Sequence, residues 1–151
     1  MLTINQYFNF RKVFLLIICL GWIINTHGQS NELSASESLV VELAQQQLDA
    51  YNNRNVIQFL EPYADDIKVY DYPEELLFEG KDKMREVYGK LFANSPELHC
   101  ELVHRTVMGN VVIDQEKVTG VAGVGDKVVE ALAIYTIKEG KIVEIRFVRG
   151  N

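Results

Sequence analysis

Cysteine, proline and tryptophan are all scarce in this chain, which has two cysteines, three prolines and a single tryptophan in 151 residues. With only Cys19 and Cys100, no disulfide framework can stand in for a hydrophobic core, and no Cys-x-x-Cys pair is present. No cluster of lysine and arginine exceeds two residues, and the formal charge is −6. An acidic surface repels phosphate backbones and anionic lipid heads, which argues against nucleic acid as a partner. A membrane-length apolar run is missing as well. Val13 to Ile24 spans about a dozen residues, whereas a transmembrane helix needs roughly 20. Gly-x-Ser-x-Gly and His-Glu-x-x-His are also absent, which removes the standard nucleophile elbow and zinc-protease helix.

The short apolar run has the form of a leader. Arg11 and Lys12 precede it, and the small residues Thr26 and Gly28 stand at −3 and −1 of a cut before Gln29. Residues 1–28 are therefore expected to be a signal peptide, and the mature protein periplasmic or secreted. The alternative, a buried N-terminal helix, has nothing downstream that needs it. Bulky Ile17 and Ile18 before Cys19 disfavour a lipidated cysteine. Loss of Arg11 and Lys12 takes the formal charge from −6 to −8. Residues 29–151 are enough for one domain with one core. Cys100 is then the sole cysteine, expected as a packed small hydrophobe with no internal disulfide.

Helical patterning comes first along the chain. Ser34 and Glu37 have capping-box spacing, and Val40, Leu43, Ala44, Leu48 and Tyr51 form one stripe behind them. Gln47 falls inside that stripe, where an amide must find a partner or face a wet cavity. Asn55 can cap a short second helix bearing Val56, Phe59 and Leu60. Tyr63 to Asp66 reads as the end of that helix, followed by a strand that delivers Asp71 to a turn at Pro73. Leu76 to Glu79 reads as a short strand or extended link. After Gly80, Met84, Val87, Tyr88, Leu91 and Phe92 repeat at helical spacing, with Glu86 and Lys90 as a favourable pair. Residues 101–108, 111–121, 127–137 and 141–148 are β-branched-rich and separated by glycine-containing turns. Helices first and a meander after is an α+β order.

The run from Asn55 to Asp71, Phe78-Glu79-Gly80-Lys81-Asp82 at a helix start, and the closing segment Glu139 to Ile145 resemble the nuclear-transport-factor-2-like superfamily. That superfamily includes SnoaL-like polyketide cyclases and ketosteroid isomerases, and the resemblance covers roughly Leu39 to Val148. It implies a curved antiparallel sheet with three helices on its concave face, enclosing a conical pocket. It also implies a cofactor-independent isomerase, cyclase or lyase acting on a small apolar molecule, with no cofactor and no metal. Asp71 falls on the isomerases' general base. Their oxyanion tyrosine falls on Gln47, with Tyr51 one turn further on, and their oxyanion aspartic acid falls on Ala133. The base position is kept while both donors are lost, so efficient ketosteroid isomerisation is not expected.

The residues leave several readings open. Asp71 shares a strand face with Ile67 and Val69, so apolar burial could make it an acid or base near neutral pH; as a turn residue before Pro73 it would be structural. His104 is either a packed strand residue or a proton shuttle. His99 and His104, five apart, are expected on opposite strand faces, which argues against a shared metal. Asp114 and Glu116 share one face. Outward they are solvated; inward they repel and raise one pKa. Tyr135 shares a face with Ala131 and Ala133, small residues that leave room for a ligand. Asp65 and Asp66 read as solvated. Gly120 to Asp126 reads as a hairpin turn, because the Lys-Ser/Thr ending and following helix of a phosphate loop are missing. Asp71 and His104 are thus the catalytic candidates, and Gln47, Tyr51, Asp114, Glu116 and Tyr135 the ligand-binding ones. The alternatives are a ligand-binding module without turnover and a dimeric accessory domain. A homodimer is expected through the outer sheet face, where Leu132 and Ile134 leave apolar surface.

Overall fold

The computed structural model describes residues 35–150; the expected leader, its cut before Gln29 and the Ser34 half of the capping box lie outside them. Three helices and six strands follow: α1 (Ala35–Asn52), α2 (Val56–Leu60), β1 (Tyr63–Asp71), β2 (Glu75–Glu79), α3 (Lys81–Asn94), β3 (His99–Met108), β4 (Val111–Thr119), β5 (Val129–Lys138) and β6 (Lys141–Arg149). No helix among the described residues is long and apolar enough to cross a membrane.

The amphipathic stripes do what their spacing requires. Val40, Leu43, Ala44 and Leu48 of α1 are buried, as are Met84 and Phe92 of α3. Asn55 caps α2 by accepting a hydrogen bond from the Gln58 amide at 3.1 Å. On the exposed side of α3, Glu86 meets both Lys83 and Lys90 at 2.8 Å.

The strands form one open sheet in the order β2-β1-β6-β5-β4-β3. All neighbouring pairs are antiparallel except β1 and β6, which run parallel. A parallel partner needs a long connection, and here the whole of α3 and the meander lies between the two strands. Packing of α1 on β3 and β4, and of α3 on β1 and β2, places the helices on one face of the sheet, with α2 between them. Phe59, Tyr63, Ile67, Val69, Val112, Ile142 and Ile145 fill the space where these layers meet.

Two local expectations are corrected. Tyr63 to Asp66 begins β1 rather than ending a helix. The short α2 stops at Leu60, and Pro62, which lacks an N–H, separates it from the strand. In β3, a register shift between Leu102 and His104 inserts an extra residue opposite β4. Cys100 and Leu102 face inward before this bulge, and Arg105 and Val107 after it, as their partners Val118, Glu116, Asp114 and Val112 show. His99 and His104 therefore share the outer face instead of occupying opposite ones.

Candidate functional site

Directly paired residues share a sheet face, so the register fixes what looks toward the helices. Val112, Asp114, Glu116 and Val118 of β4 match Tyr135, Ala133, Ala131 and Val129 of β5. Both carboxylates thus point inward, which settles the choice left open by the sequence. Above this face lies a cavity of about 400 Å³, within the usual range for small-molecule sites. Its wall is largely apolar and aromatic. Tyr51, Phe59 and Tyr88 interlock edge-on or tilted at ring separations of 4.4–6.3 Å, and Ala131 forms part of the floor.

A directed chain of hydrogen bonds crosses the deep end. The Tyr63 hydroxyl donates to Gln47 Oε1 at 3.2 Å. Gln47 Nε2 donates to the Tyr135 hydroxyl at 3.1 Å and to the carbonyl of Ala44 at 3.1 Å. The Tyr135 hydroxyl in turn donates to Glu116 Oε1 at 3.1 Å. Gln47, which interrupts the apolar stripe of α1, thus has its amide satisfied on both ends and still lines the cavity. The chain terminates at Glu116, a buried carboxyl whose pKa is pushed up to about 7. Burial is the largest cause, and the neighbouring Asp114 charge adds to it; bonds from Tyr135 and the Cys100 thiol and the Arg105 charge act the other way.

Asp114 is fully buried and clamped by Arg105 through two hydrogen bonds of 2.7 Å, from Nε and Nη2. Arg105 Nη1 also donates to Gln45 Oε1 at 3.0 Å. This bidentate pair is spent on structure, and Asp114 is not part of the cavity wall. Tyr51 and Tyr88 differ from the other two cavity phenols. Their hydroxyls have no hydrogen-bond partner among the described residues, where no buried polar side-chain atom is left unsatisfied, so both face the open cavity. Burial holds both in the neutral, donating form by raising their pKa.

Of the residues singled out from sequence, Gln47, Tyr51, Glu116 and Tyr135 meet at this cavity. Asp71 lies on the same sheet face, paired with Phe147 across β6, but outside the wall. The expectation of apolar burial is corrected: Arg149 stands 3.6 Å from the Asp71 carboxylate, and Asp71 is half-buried. His104 is exposed on the face opposite the cavity, because the bulge turned it there. Asp65 is exposed and pairs with Lys81 at 2.9 Å. Sequence reasoning missed Tyr63, Tyr88, Cys100 and Arg149 as cavity residues. For Arg149 the signal was available, since it continues the alternation of Ile145 and Phe147. Among the described residues no three His, Cys, Asp or Glu side chains gather as a metal site.

An open sheet with helices on one face over an apolar, carboxyl-bearing cavity can be compared with known proteins. Residues 44–145 match the model of the SnoaL-like domain. No protein of curated function matches in sequence. An uncharacterised cystatin-fold protein from Novosphingobium aromaticivorans is 28% identical with a TM-score of 0.66, covering 73% of this chain and 97% of that one. A protein proposed to be a SnoaL-like polyketide cyclase from Jannaschia sp. CCS1 is 20% identical, TM-score 0.66, covering 78% and 90%. One proposed to be a ketosteroid isomerase from Kribbella flavida is 14% identical, TM-score 0.66, covering 77% and 81%. The α+β architecture is thus shared with structures that bear cyclase and isomerase names, and the sequence match runs through α1 to β6: the chain belongs to the SnoaL-like domain family.

Proposed function

We propose that this protein is an exported, cofactor-independent enzyme of isomerase, cyclase or lyase type, acting on a small apolar carbonyl compound. Glu116 is its acid–base group. The observation that carries this reading is the buried Glu116 carboxyl inside an apolar cavity, at the end of the Tyr63–Gln47–Tyr135 chain. A carboxyl poised near neutrality accepts and returns a proton with little energetic penalty. The free hydroxyls of Tyr51 and Tyr88 supply donors for the oxygen that gains charge as a neighbouring C–H bond is broken. They take the place of the donors missing at Gln47, whose amide is already engaged, and at Ala133, which has none.

Asp71 falls at the position where the resemblance places a base. Its pairing with Arg149 and its place outside the cavity wall favour a positioning role, with the proton-transfer role moving to Glu116. His104, on the outer face, is left without a part in this chemistry.

The test is deuterium exchange at the carbon next to the carbonyl of 2-tetralone in D2O, followed by NMR. The full chain should accelerate exchange with a pH midpoint near 7, where Glu116 titrates. Glu116→Gln should abolish the acceleration, Tyr51→Phe should reduce it by about 100- to 1,000-fold, and Asp71→Asn should retain it. No acceleration by the folded protein, or undiminished acceleration in Glu116→Gln, would overturn the proposal. Loss in Asp71→Asn alone would return the base to Asp71.

A further inference from the structure

Two charged side chains belong to the cavity wall among the described residues, Glu116 at its deep end and Arg149. Their placement follows from register. Ala131 of β5 pairs with Glu116 on one side and with Arg149 on the other, so Glu116, Ala131 and Arg149 form one row across three strands of the inner face. Adjacent strands lie about 4.8 Å apart, which puts the α-carbons of Glu116 and Arg149 about 10 Å from each other. The residue between them is an alanine, whose single methyl leaves the space above the row open. β1 ends at Asp71, opposite Phe147, so the sheet stops short of Arg149 on its far side.

Arg149 also differs from Arg54, Arg105 and Arg146 in what its guanidinium does. Arg105 commits three nitrogens to Asp114 and Gln45. Arg146 bonds Glu144 and the Pro73 carbonyl, and Arg54 bonds the carbonyls of Asn52 and Leu98. For Arg149 the one anionic contact among the described residues is Asp71, at 3.6 Å, too long for a hydrogen bond. Its side chain is about half exposed, and its planar fork of donors remains available to a ligand.

We infer that the substrate of this cavity is an apolar molecule ending in a carboxylate, bound with that carboxylate on Arg149 and its reactive carbon over Ala131, within reach of Glu116. The inference rests on the acid–base reading above and specifies the substrate class for the same site. A carboxylate matches the arginine fork in two parallel bonds, which a neutral end cannot do. The pairing also sets polarity: with the anionic end held at Arg149, the apolar body covers the alanine and aromatic walls and the charge is kept from Glu116. Asp71 holds the guanidinium over Phe147, whose ring centre lies 5.8 Å away.

Calorimetric titration of the full chain with 2-naphthylacetic acid and with 2-naphthylacetamide tests this, since the two differ only in the charged end. The acid should bind about 10- to 100-fold more tightly than the amide. Arg149→Gln should erase that preference, and Arg149→Lys should keep part of it. Equal affinity for acid and amide, a preference that survives Arg149→Gln, or no binding of either probe to folded protein would each overturn the assignment. The first two leave the role of Glu116 intact, because tetralone exchange measures that separately.

Discussion

Glu116 and Asp114 stand two residues apart on the same inner face of β4, yet the fold treats them differently. Asp114 receives a bidentate arginine; Glu116 receives a tyrosine hydroxyl and a thiol. Burial raises the Glu116 pKa from an ordinary 4.5 to about 7, and this has a consequence for stability. Between those values the folded chain keeps a proton that the unfolded chain has released. Its contribution is therefore complete below pH 4.5 and is lost as the pH rises through 7. The size is on the order of 3 kcal/mol. Glu116→Gln removes the titration and keeps an oxygen for Tyr135 to donate to. Urea unfolding should find this variant more stable than wild type by about 1–3 kcal/mol at pH 8, with the gain shrinking toward pH 4. A gain independent of pH would show that Glu116 titrates ordinarily. That Gln47 needed a partner was legible from its place in an apolar stripe. That the partners are Tyr63 and Tyr135, sixteen and eighty-eight residues away, was not, because such contacts depend on how the layers close.

At the scale of elements, the regular parts were legible because periodicity reports burial directly. The stripes of α1 and α3 and the four meander strands stand where the spacing put them, to within a residue or two at most ends. Irregularities were hidden. The β3 bulge has no glycine or proline to announce it, and it reverses the facing of everything after Leu102, which sent His104 outward and Arg105 in to Asp114. Tyr63 was lost to a helix reading because α2 is barely one turn long, too short for a period to show where it stops. Gly120 is a different kind of constraint. Its φ is +70°, and a Cβ there would run into the backbone carbonyl of Glu97. Gly109, with φ of +60°, has open space around it. Gly109→Ala should cost about 1–2 kcal/mol, from the left-handed backbone alone. Gly120→Ala should cost at least about 3 kcal/mol, because the contact with Glu97 cannot relax without moving the connection between α3 and β3. Chemical denaturation of the two variants side by side makes the comparison. Equal losses would mean that the Glu97 contact carries no weight.

For the whole molecule, the sheet separates two surfaces with different work to do. The inner face holds the cavity. On the outer face, Ile113 pairs with Ile134, and Leu132 pairs with Val148, so four aliphatic side chains stand together across β4, β5 and β6. Leu132 keeps 38% of its surface exposed, and Val103 on the neighbouring β3 keeps 44%. Scattered apolar residues are ordinary on a surface; a contiguous group on a flat sheet is what a second copy would cover. We propose that the protein is a homodimer through this face. A two-fold contact brings each central residue close to its own copy, so one substitution introduces two like charges into a desolvated interface. Wild-type protein should sediment as a dimer at micromolar concentration, and Leu132→Glu as a monomer with unchanged circular dichroism. Because Leu132 points away from Ala131 and Ala133 on the same strand, the variant should exchange tetralone protons within about 2-fold of the wild-type rate, provided that dimerisation serves assembly rather than the site. A wild-type monomer at tens of micromolar would refute the dimer. A monomeric Leu132→Glu with lost exchange would show instead that the sheet needs its partner to hold the inner row of Glu116, Ala131 and Arg149 in place.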